Sequence, residues 1–427
     1  MKKQYNVLVF PGGTEIGLEI QKSLSQCKDI QLYSTGLEVS NHAPFIFARH
    51  FVIPSIYDPL WVDSLNQIVT NHDINYIFPA YDDIIIALAQ NTERIKAKIV
   101  SSPLNTCLIT RSKTKTYHLL TGTVPVPRIY DNLDSIEQYP VFIKPDEGQG
   151  SQYAHLVNSR IRLLELLEED RNFLIMENLD GDEYTVDCFS DREAGLLFCG
   201  GRKRIRTKSG ISMNSQLVHN AIFLEYANAI SKKLKFHGAW FFQVKKDQHG
   251  TFKLLEIAPR IAGTMAIHRV QGINFAILSI YEQERVPVEI LLNTVDVEID
   301  RALINRYRHN VTYSVVYVDL DDTLILNGVV NVNLVRFLYQ CINKGIRIVL
   351  LSKHTSNIDL TLRKYRLTGI FDEVIHLAQT DIKSDSICER DAILIDDSFS
   401  ERKAVKERLE ILTFDSSMLE MLLDERV

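Results

Sequence analysis

Apolar runs of strand length that break off at polar residues recur along this chain of 427 residues. The first, YNVLVF at 5–10, runs into PGGTEIG at 11–17, after which Leu18, Ile20 and Leu24 keep a helical spacing. That is the β-turn-α pattern of a doubly wound parallel sheet. INYIFPA at 74–80 repeats it and ends at Tyr81, Asp82 and Asp83, where a helix is expected to begin. Near the other end, VVYVDLDDTLILNG at 315–328, IRIVLLSKH at 346–354 and DAILIDDS at 391–398 are three more runs that stop at polar groups. In the first of these, Val315, Val316 and Val318 lead to Asp319 and Asp321, two alternate positions aimed at one pole of a sheet.

The middle of the chain has a different texture. Ser112, Lys113 and Lys115 open a predicted helix, and the prolines of TGTVPVPRIY at 121–130 impose an extended connection. A strand carrying Lys144 follows, then a loop, EGQGS, from Glu147 to Ser151. Next come a helix over 160–169, the strands FLIMENL (173–179) and DEYTVDCFS (182–190), a basic hairpin, a helix over 221–234, and two closing strands at 239–246 and 252–260. Strands with few, separated helices predict α+β here. The linker VDVEIDRALINRYRHN at 295–310 has no Gly, Pro or Ser, so it is expected to pack as structure and fix the angle between flanking domains.

Composition narrows the class of protein. A hydrophobic content of 45% and a charged content of 24% are those of a globular chain, long enough for two or three cores. A net charge of −6 argues against a nucleic-acid surface, and no apolar run is long enough to span a bilayer. Six cysteines without a CxxC pair, and no secretory leader, predict reduced thiols and a cytoplasmic location. Homo-oligomerisation is left open. A nicotinamide site is not expected: the GxGxxG register would need glycine at 14, which is Thr14, and IQLYSTG at 30–36 ends without a ribose-binding acid.

The central residues suit a nucleoside triphosphate. Lys113 and Lys144 can neutralise phosphate oxygens, and the loop at Glu147, Gly148, Gly150 and Ser151 offers backbone N–H groups. Met176 to Leu179 can meet an adenine edge, and Glu183 can reach a ribose. Gln243 and Glu256 are oxygen ligands for Mg²⁺, with Arg260 beyond them as a charge clamp. The run Arg202, Lys203, Arg204, Arg206 is either a solvated face or, through Arg202 and Arg204, a receiver for an anionic substrate or its acyl phosphate.

In that order these motifs resemble the ATP-grasp superfamily, in its carbamoyl-phosphate synthase-like and biotin carboxylase-like branches, over roughly residues 1–305. The resemblance implies ATP and Mg²⁺ as cofactors, a carboxylate that attacks the γ-phosphate, and an amine or thiol that opens the acyl phosphate. It assigns phosphate contacts to Lys113, Lys144 and the Gly148/Gly150 loop. Adenine falls to Glu177 and Leu179, ribose to Glu183, magnesium to Gln243 and Glu256, and the transferring phosphoryl group to Arg260. One position departs from the family's Glu-x-Asn-Pro-Arg: Ala258 replaces the asparagine, and alanine cannot ligate. Water or a weaker metal site are the alternatives.

The last part of the chain resembles a haloacid dehalogenase-type (HAD-like) phosphohydrolase, a Rossmannoid domain. By that likeness Asp319 is the nucleophile and Asp321 the general acid and base, both at the magnesium ion. Ser352 binds the phosphoryl group, Lys383 offsets charge, and Asp396 with Asp397 completes the metal site. Neither segment flanking Ser352 has room for a large cap, so the domain is expected to be uncapped, taking a large substrate or using the preceding half as a roof. The expected division is a pre-ATP-grasp Rossmann-like domain at 1–103, an ATP-grasp domain at 104–308 and the phosphohydrolase at 309–427. The function these imply is an ATP-dependent carboxylate–amine (or thiol) ligase fused to a phosphatase of a phosphorylated metabolite. The alternatives are an ATP-grasp kinase with a phosphatase, or a nucleotide-sensing module that regulates the phosphatase.

Overall fold

Strand β1 (Tyr5–Phe10) sends alternate side chains into two cores, Val7 and Val9 to one and Leu8 and Phe10 to the other. A strand buried on both faces belongs at the centre of a parallel sheet covered by helices. That is its place. With β2 (Ile30–Gly36), β3 (His50–Val52), β4 (Tyr76–Pro79) and β5 (Lys98–Ile99) it forms a parallel sheet in the order β3-β2-β1-β4-β5. The computed structural model describes residues 4–148, 150, 152–168 and 172–426. Ser151 and Glu169, which the sequence places in a loop and a helix, lie outside that set. The chain divides into two compact units, Met1–Leu303 and Ile304–Arg426.

The turn after β1 is held by local contacts. Thr14 caps the helix Glu15–Leu24 by accepting from the Gly17 amide at 3.0 Å, and its Oγ1 donates to the Ala80 carbonyl at 3.0 Å. A Cβ at Gly12 would lie 2.6 Å from Ser34, and one at Gly13 2.4 Å from Asn41. Neither position has room for a side chain, which accounts for both glycines.

The rest of the first unit holds two antiparallel sheets. β6 (Val141–Pro145), β7 (His155–Val157) and β8 (Phe173–Glu177) form the smaller, in the order β7-β6-β8. β9 (Glu183–Asp191), β10 (Gly195–Lys208), β11 (Ile211–Val218), β12 (Gly238–Lys246), β13 (Phe252–Ala258) and β14 (Glu298–Asp300) form the larger, in the order β13-β12-β9-β10-β11-β14. Period-2 alternation sorts its two faces. Val186 and Cys188 of β9 and Trp240 and Phe242 of β12 bury against Phe223, Tyr226 and Ile230 of the helix Ala221–Ser231. The opposite face carries Glu183, Asp187, Arg202, Arg204 and Gln243, which hydrogen-bond with one another. The α+β expectation for this region matches the arrangement.

The linker meets the expectation only in part. β14 pairs with β11, but residues 301–313 contain no helix or strand, and Leu303 is 96% exposed. Arg306 pairs with Glu425, Tyr307 Oη donates to Glu420, and Val311 and Tyr313 pack on the core of the second unit, all without regular structure.

In the second unit, β15 (Val315–Val318) is again central and covered on both faces, with Val316 and Val318 in one core and Val315 and Tyr317 in the other. A hairpin of β16 (Ile325–Leu326) and β17 (Val329–Val330) follows. Asn327 and Gly328 both take positive φ at its tip, the turn that suits a two-residue connection. β18 (Arg347–Ser352), β19 (Glu373–His376), β20 (Ala392–Ile395) and β21 (Leu412–Phe414) complete a parallel sheet in the order β19-β18-β15-β20-β21. Between Ser352 and Lys383 the chain holds only the helix Ile358–Lys364 and β19 as longer elements.

Candidate functional site

In the first unit, a cavity of about 160 Å³ opens between the smaller sheet and β12/β13. Its walls include Lys113, Lys144, Gly148, Gly150, Glu177, Leu179, Glu183, Arg204, Gln243 and Glu256, most of the central residues the sequence singles out. Phe142, Met176, Leu179 and Leu255 give it an apolar portion, and the two lysines a basic one.

The lysines are placed by exact local devices. Ser112 caps the helix Lys113–Leu120 and donates to Asp146 Oδ2 at 2.7 Å, while Asp146 Oδ1 accepts from the Thr114 amide at 2.7 Å. Lys113 Nζ donates to the Asp146 carbonyl at 3.1 Å. A register shift after Gln243 leaves Leu255 out of the β12–β13 ladder, so its carbonyl is free to accept from Tyr117 Oη (2.7 Å) and Lys144 Nζ (3.3 Å). Burial, and then the charge of Lys113, push Lys144 down to about 7. Two crowded, desolvated cations, with Asp146, Glu183 and Glu256 nearby, can receive a polyanion.

Gly150 has φ of 62°, a left-handed conformation that a side chain resists, and a Cβ there would meet the Ser209 carbonyl at 3.4 Å. Glu177 accepts from the Arg128 amide at 2.7 Å and from Lys253, which fixes it at the end of β8. Gln243 and Glu256 are direct register partners across β12 and β13. Arg204 Nη1 donates to Glu183 Oε1 (2.6 Å) and to Gln243 Oε1 (2.7 Å), and Nη2 donates to the Gly210 carbonyl.

Three expected residues are elsewhere. Arg202 is 2% exposed and makes a bidentate pair with fully buried Asp187, at 2.7 and 3.2 Å. The correction is physical: the guanidinium is spent on a carboxylate two residues along β9 from its register partner Thr185, and does not line the cavity. Removing one partner of a buried pair strands the other, so Arg202→Ala should lower stability by about 3–5 kcal/mol. Urea denaturation should show a lower midpoint, and an unchanged midpoint would contradict the assignment. Arg260 pairs with Asp82 and also lies outside the cavity walls. Although burial opposes its ionisation, Arg260, Arg111 and Lys113 hold Asp82 below the usual carboxylate range. Glu147 lines a neighbouring open cleft instead.

Arg111 escaped the sequence reading. It pairs with Asp83 at 2.6 Å and donates to the Gly148 carbonyl at 3.1 Å, anchoring the base of the glycine-containing loop. Its position two residues before Lys113 was the available signal.

The second unit gathers its acids at the C-terminal ends of β15 and β20. Oxygens of Asp319, Asp396 and Asp397 lie within 4.8 Å of one another, the one group of that kind among the described residues. Lys383 Nζ donates to Asp319 Oδ1 (2.7 Å) and Asp396 Oδ2 (2.6 Å). Burial, with Asp396 adding to it, raises Asp319 to about 6 despite Lys383. The donor set is all carboxylate oxygen, which fits a hard divalent cation. Asp397 is oriented by Thr323, whose Oγ1 donates to its carboxylate at 3.1 Å and accepts its amide at 2.9 Å. Ser352 Oγ is buried without a well-formed hydrogen bond, yet close enough to Asp319 to favour the ionised carboxylate.

Asp321 is the exception. Its side chain is half exposed and hydrogen-bonds His354 Nδ1 at 2.8 Å, while His354 Nε2 meets Thr361 Oγ1 at 2.8 Å. It stands apart from the cluster of Asp319, Asp396 and Asp397, which corrects its expected place among the metal ligands. His354 was not foreseen, although it sits two residues beyond Ser352 in the same strand-end run.

Comparison with known proteins agrees with the fold of the first unit. Residues 169–299 match the family described as "ATP-grasp in the biosynthetic pathway with Ter operon". Among solved structures, the biotin carboxylase domain of Hydrogenobacter thermophilus 2-oxoglutarate carboxylase, in complex with MgADP, ADP and bicarbonate, is similar at a TM-score of 0.56. It is 13% identical over 66% of this chain and 70% of its own. An L-amino acid ligase from Bacillus licheniformis (TM-score 0.54, 19% identity) covers 68% of this chain and 76% of that one. N5-carboxyaminoimidazole synthetase from Staphylococcus aureus with ADP (TM-score 0.56, 17% identity) covers 68% and 81%. No functionally curated protein matches the sequence. The chain therefore contains an ATP-grasp fold. No described helix is long and apolar enough to cross a membrane.

Proposed function

We propose that the chain is an ATP-dependent carboxylate–amine (or thiol) ligase joined to a Mg²⁺-dependent HAD-like phosphatase, with domains at 1–103, 104–308 and 309–427. The observation that carries the ligase reading is the convergence of Lys113, Lys144, Glu183, Gln243 and Glu256 on one cavity with an apolar portion. Two of the similar solved structures hold ADP or MgADP, which supports nucleotide in that cavity. Lys113 and Lys144 would bind the phosphates, Phe142, Met176 and Leu179 the base, and Glu256 a magnesium ion that spreads the charge of the transferring phosphoryl group. A substrate carboxylate oxygen attacks the γ-phosphorus, the bond to the β-phosphate oxygen breaks, and ADP leaves. An amine or thiol then attacks the acyl carbon, and orthophosphate departs with the former carboxylate oxygen.

In the second unit Asp319 would attack the phosphorus of a phosphorylated metabolite, with Asp321 protonating the leaving oxygen. Water then opens the aspartyl phosphate, giving its proton to Asp321. Lys383 and Ser352 hold the phosphoryl oxygens, and His354 orients Asp321. A magnesium ion at Asp319, Asp396 and Asp397 would offset the gathered negative charge.

The test is ADP release against a panel of carboxylates and amines, with hydroxylamine added. A hydroxamate formed only with ATP and one carboxylate is the expected result. ADP accompanied by a stable phosphorylated product, with no hydroxamate, would make the first unit a kinase.

The state of Lys144 gives a second expectation. With a value of about 7, the free amine loses its proton as pH rises through neutrality. Bound phosphate favours the charged form, so nucleotide binding at pH 8 should take up roughly one proton per site. Calorimetry in buffers of different ionisation enthalpy measures this; no buffer dependence at pH 8 would contradict it.

A further inference from the structure

The nucleotide cavity lacks the ligands for two divalent cations, and the same residues show what stands in their place. This rests on the nucleotide reading above. Glu256 offers one carboxylate. Its register partner Gln243 has its amide oxygen already engaged by Arg204 at 2.7 Å. Two residues beyond Glu256, where a second ligand would stand, Ala258 is 8% exposed and sits in an apolar cluster with Phe241, Ile261 and Met265. It has no donor atom, and of the acids that share its cleft with Arg111 and Lys113, Asp82 is already paired with Arg260, which leaves Glu256. Among the described residues, no group of three carboxylates, histidines or cysteines in the first unit has metal-binding spacing.

Arg204 is a cation built into this wall. Its side chain is 6% exposed, its Nη1 is held between Glu183 and Gln243, its Nη2 is on the Gly210 carbonyl, and its Nε is buried without a partner. A guanidinium fixed at several points is preorganised, so it loses little freedom when an anion arrives. We propose that Arg204 supplies the positive charge that a second divalent cation would otherwise bring, so that the site loads a nucleoside triphosphate with a single divalent cation held by Glu256. One carboxylate plus substrate phosphates is a normal set for magnesium, which keeps much of its water.

The full chain is equilibrated with Mn²⁺, with and without saturating β,γ-imido-ATP, and bound Mn²⁺ is counted by electron paramagnetic resonance. Subtraction removes the contribution of the Asp319 cluster. The expected increment is one Mn²⁺ per bound nucleotide. Arg204→Met should weaken nucleotide binding roughly 10- to 100-fold at saturating Mg²⁺ in calorimetry, with partial recovery in Arg204→Lys. An increment of two in the unaltered protein overturns the proposal even if the methionine variant does not fold. Unchanged affinity in a folded Arg204→Met chain overturns it too. If the unaltered protein binds no nucleotide at any Mn²⁺ concentration, the nucleotide reading falls and takes this inference with it, a result distinct from either of those.

Discussion

Asp319→Asn is expected to remove phosphatase turnover by at least ~10³-fold while ATP consumption stays within about twofold of the unaltered protein. A neutral amide is a poor nucleophile, and loss of a covalent nucleophile is among the costliest single changes an active site can suffer. The geometry sharpens the expectation. Asp319 is buried, bonded to Lys383 at 2.7 Å, and close to Asp396 and Asp397. Asparagine keeps the shape and leaves Lys383 its bond to Asp396 at 2.6 Å, so the fold should survive. Phosphate release from a panel of phosphate esters measures the loss. Residual turnover near the unaltered rate would move the nucleophile elsewhere.

Lys144→Ala should act in the opposite sense. It removes a buried cation from the nucleotide cavity and opens the space beside Tyr117 and the Leu255 carbonyl. Charge-assisted contacts to phosphate of this kind cost roughly 10- to 100-fold in affinity when lost. ATP-dependent ADP release should fall by at least that factor, because the same contact is expected to strengthen as charge moves onto the leaving group. Phosphatase turnover should be unaffected. If either substitution silenced both activities in a folded chain, the two centres would not be independent.

Much of this arrangement is legible before any coordinates. Asp319, Ser352 and Asp396 announce themselves because consecutive apolar runs end at them, and a parallel sheet gathers such ends at one edge. Lys113 and Lys144 are legible through a helix cap and a Lys-Pro strand end. What the sequence hides is pairing across long separations. Asp82 reaches Arg260 from 178 positions away, turning an expected phosphoryl clamp into an ion-pair partner. Arg202 and Arg204 look equivalent on alternate positions of β10, yet the antiparallel register sets one against buried Asp187 and the other against Glu183 and Gln243. His354 meets Asp321 only because β15 and β18 are neighbours. Residues 301–313 carry no regular structure, because their apolar positions follow neither a helical nor a strand period, although Val311 and Tyr313 pack on a core.

The most direct test of the ligase account follows one oxygen atom. The carboxylate that stimulates ADP release is labelled with ¹⁸O and turned over with ATP and the nucleophile by the Asp319→Asn chain, whose second centre is silent. Attack by the carboxylate on the γ-phosphorus places a labelled oxygen in the bridge, and cleavage at the acyl carbon leaves it with phosphorus. Mass spectrometry of the orthophosphate should find one ¹⁸O in each molecule formed. Unlabelled orthophosphate, released together with ADP, would mean that water attacks ATP and that no acyl phosphate forms.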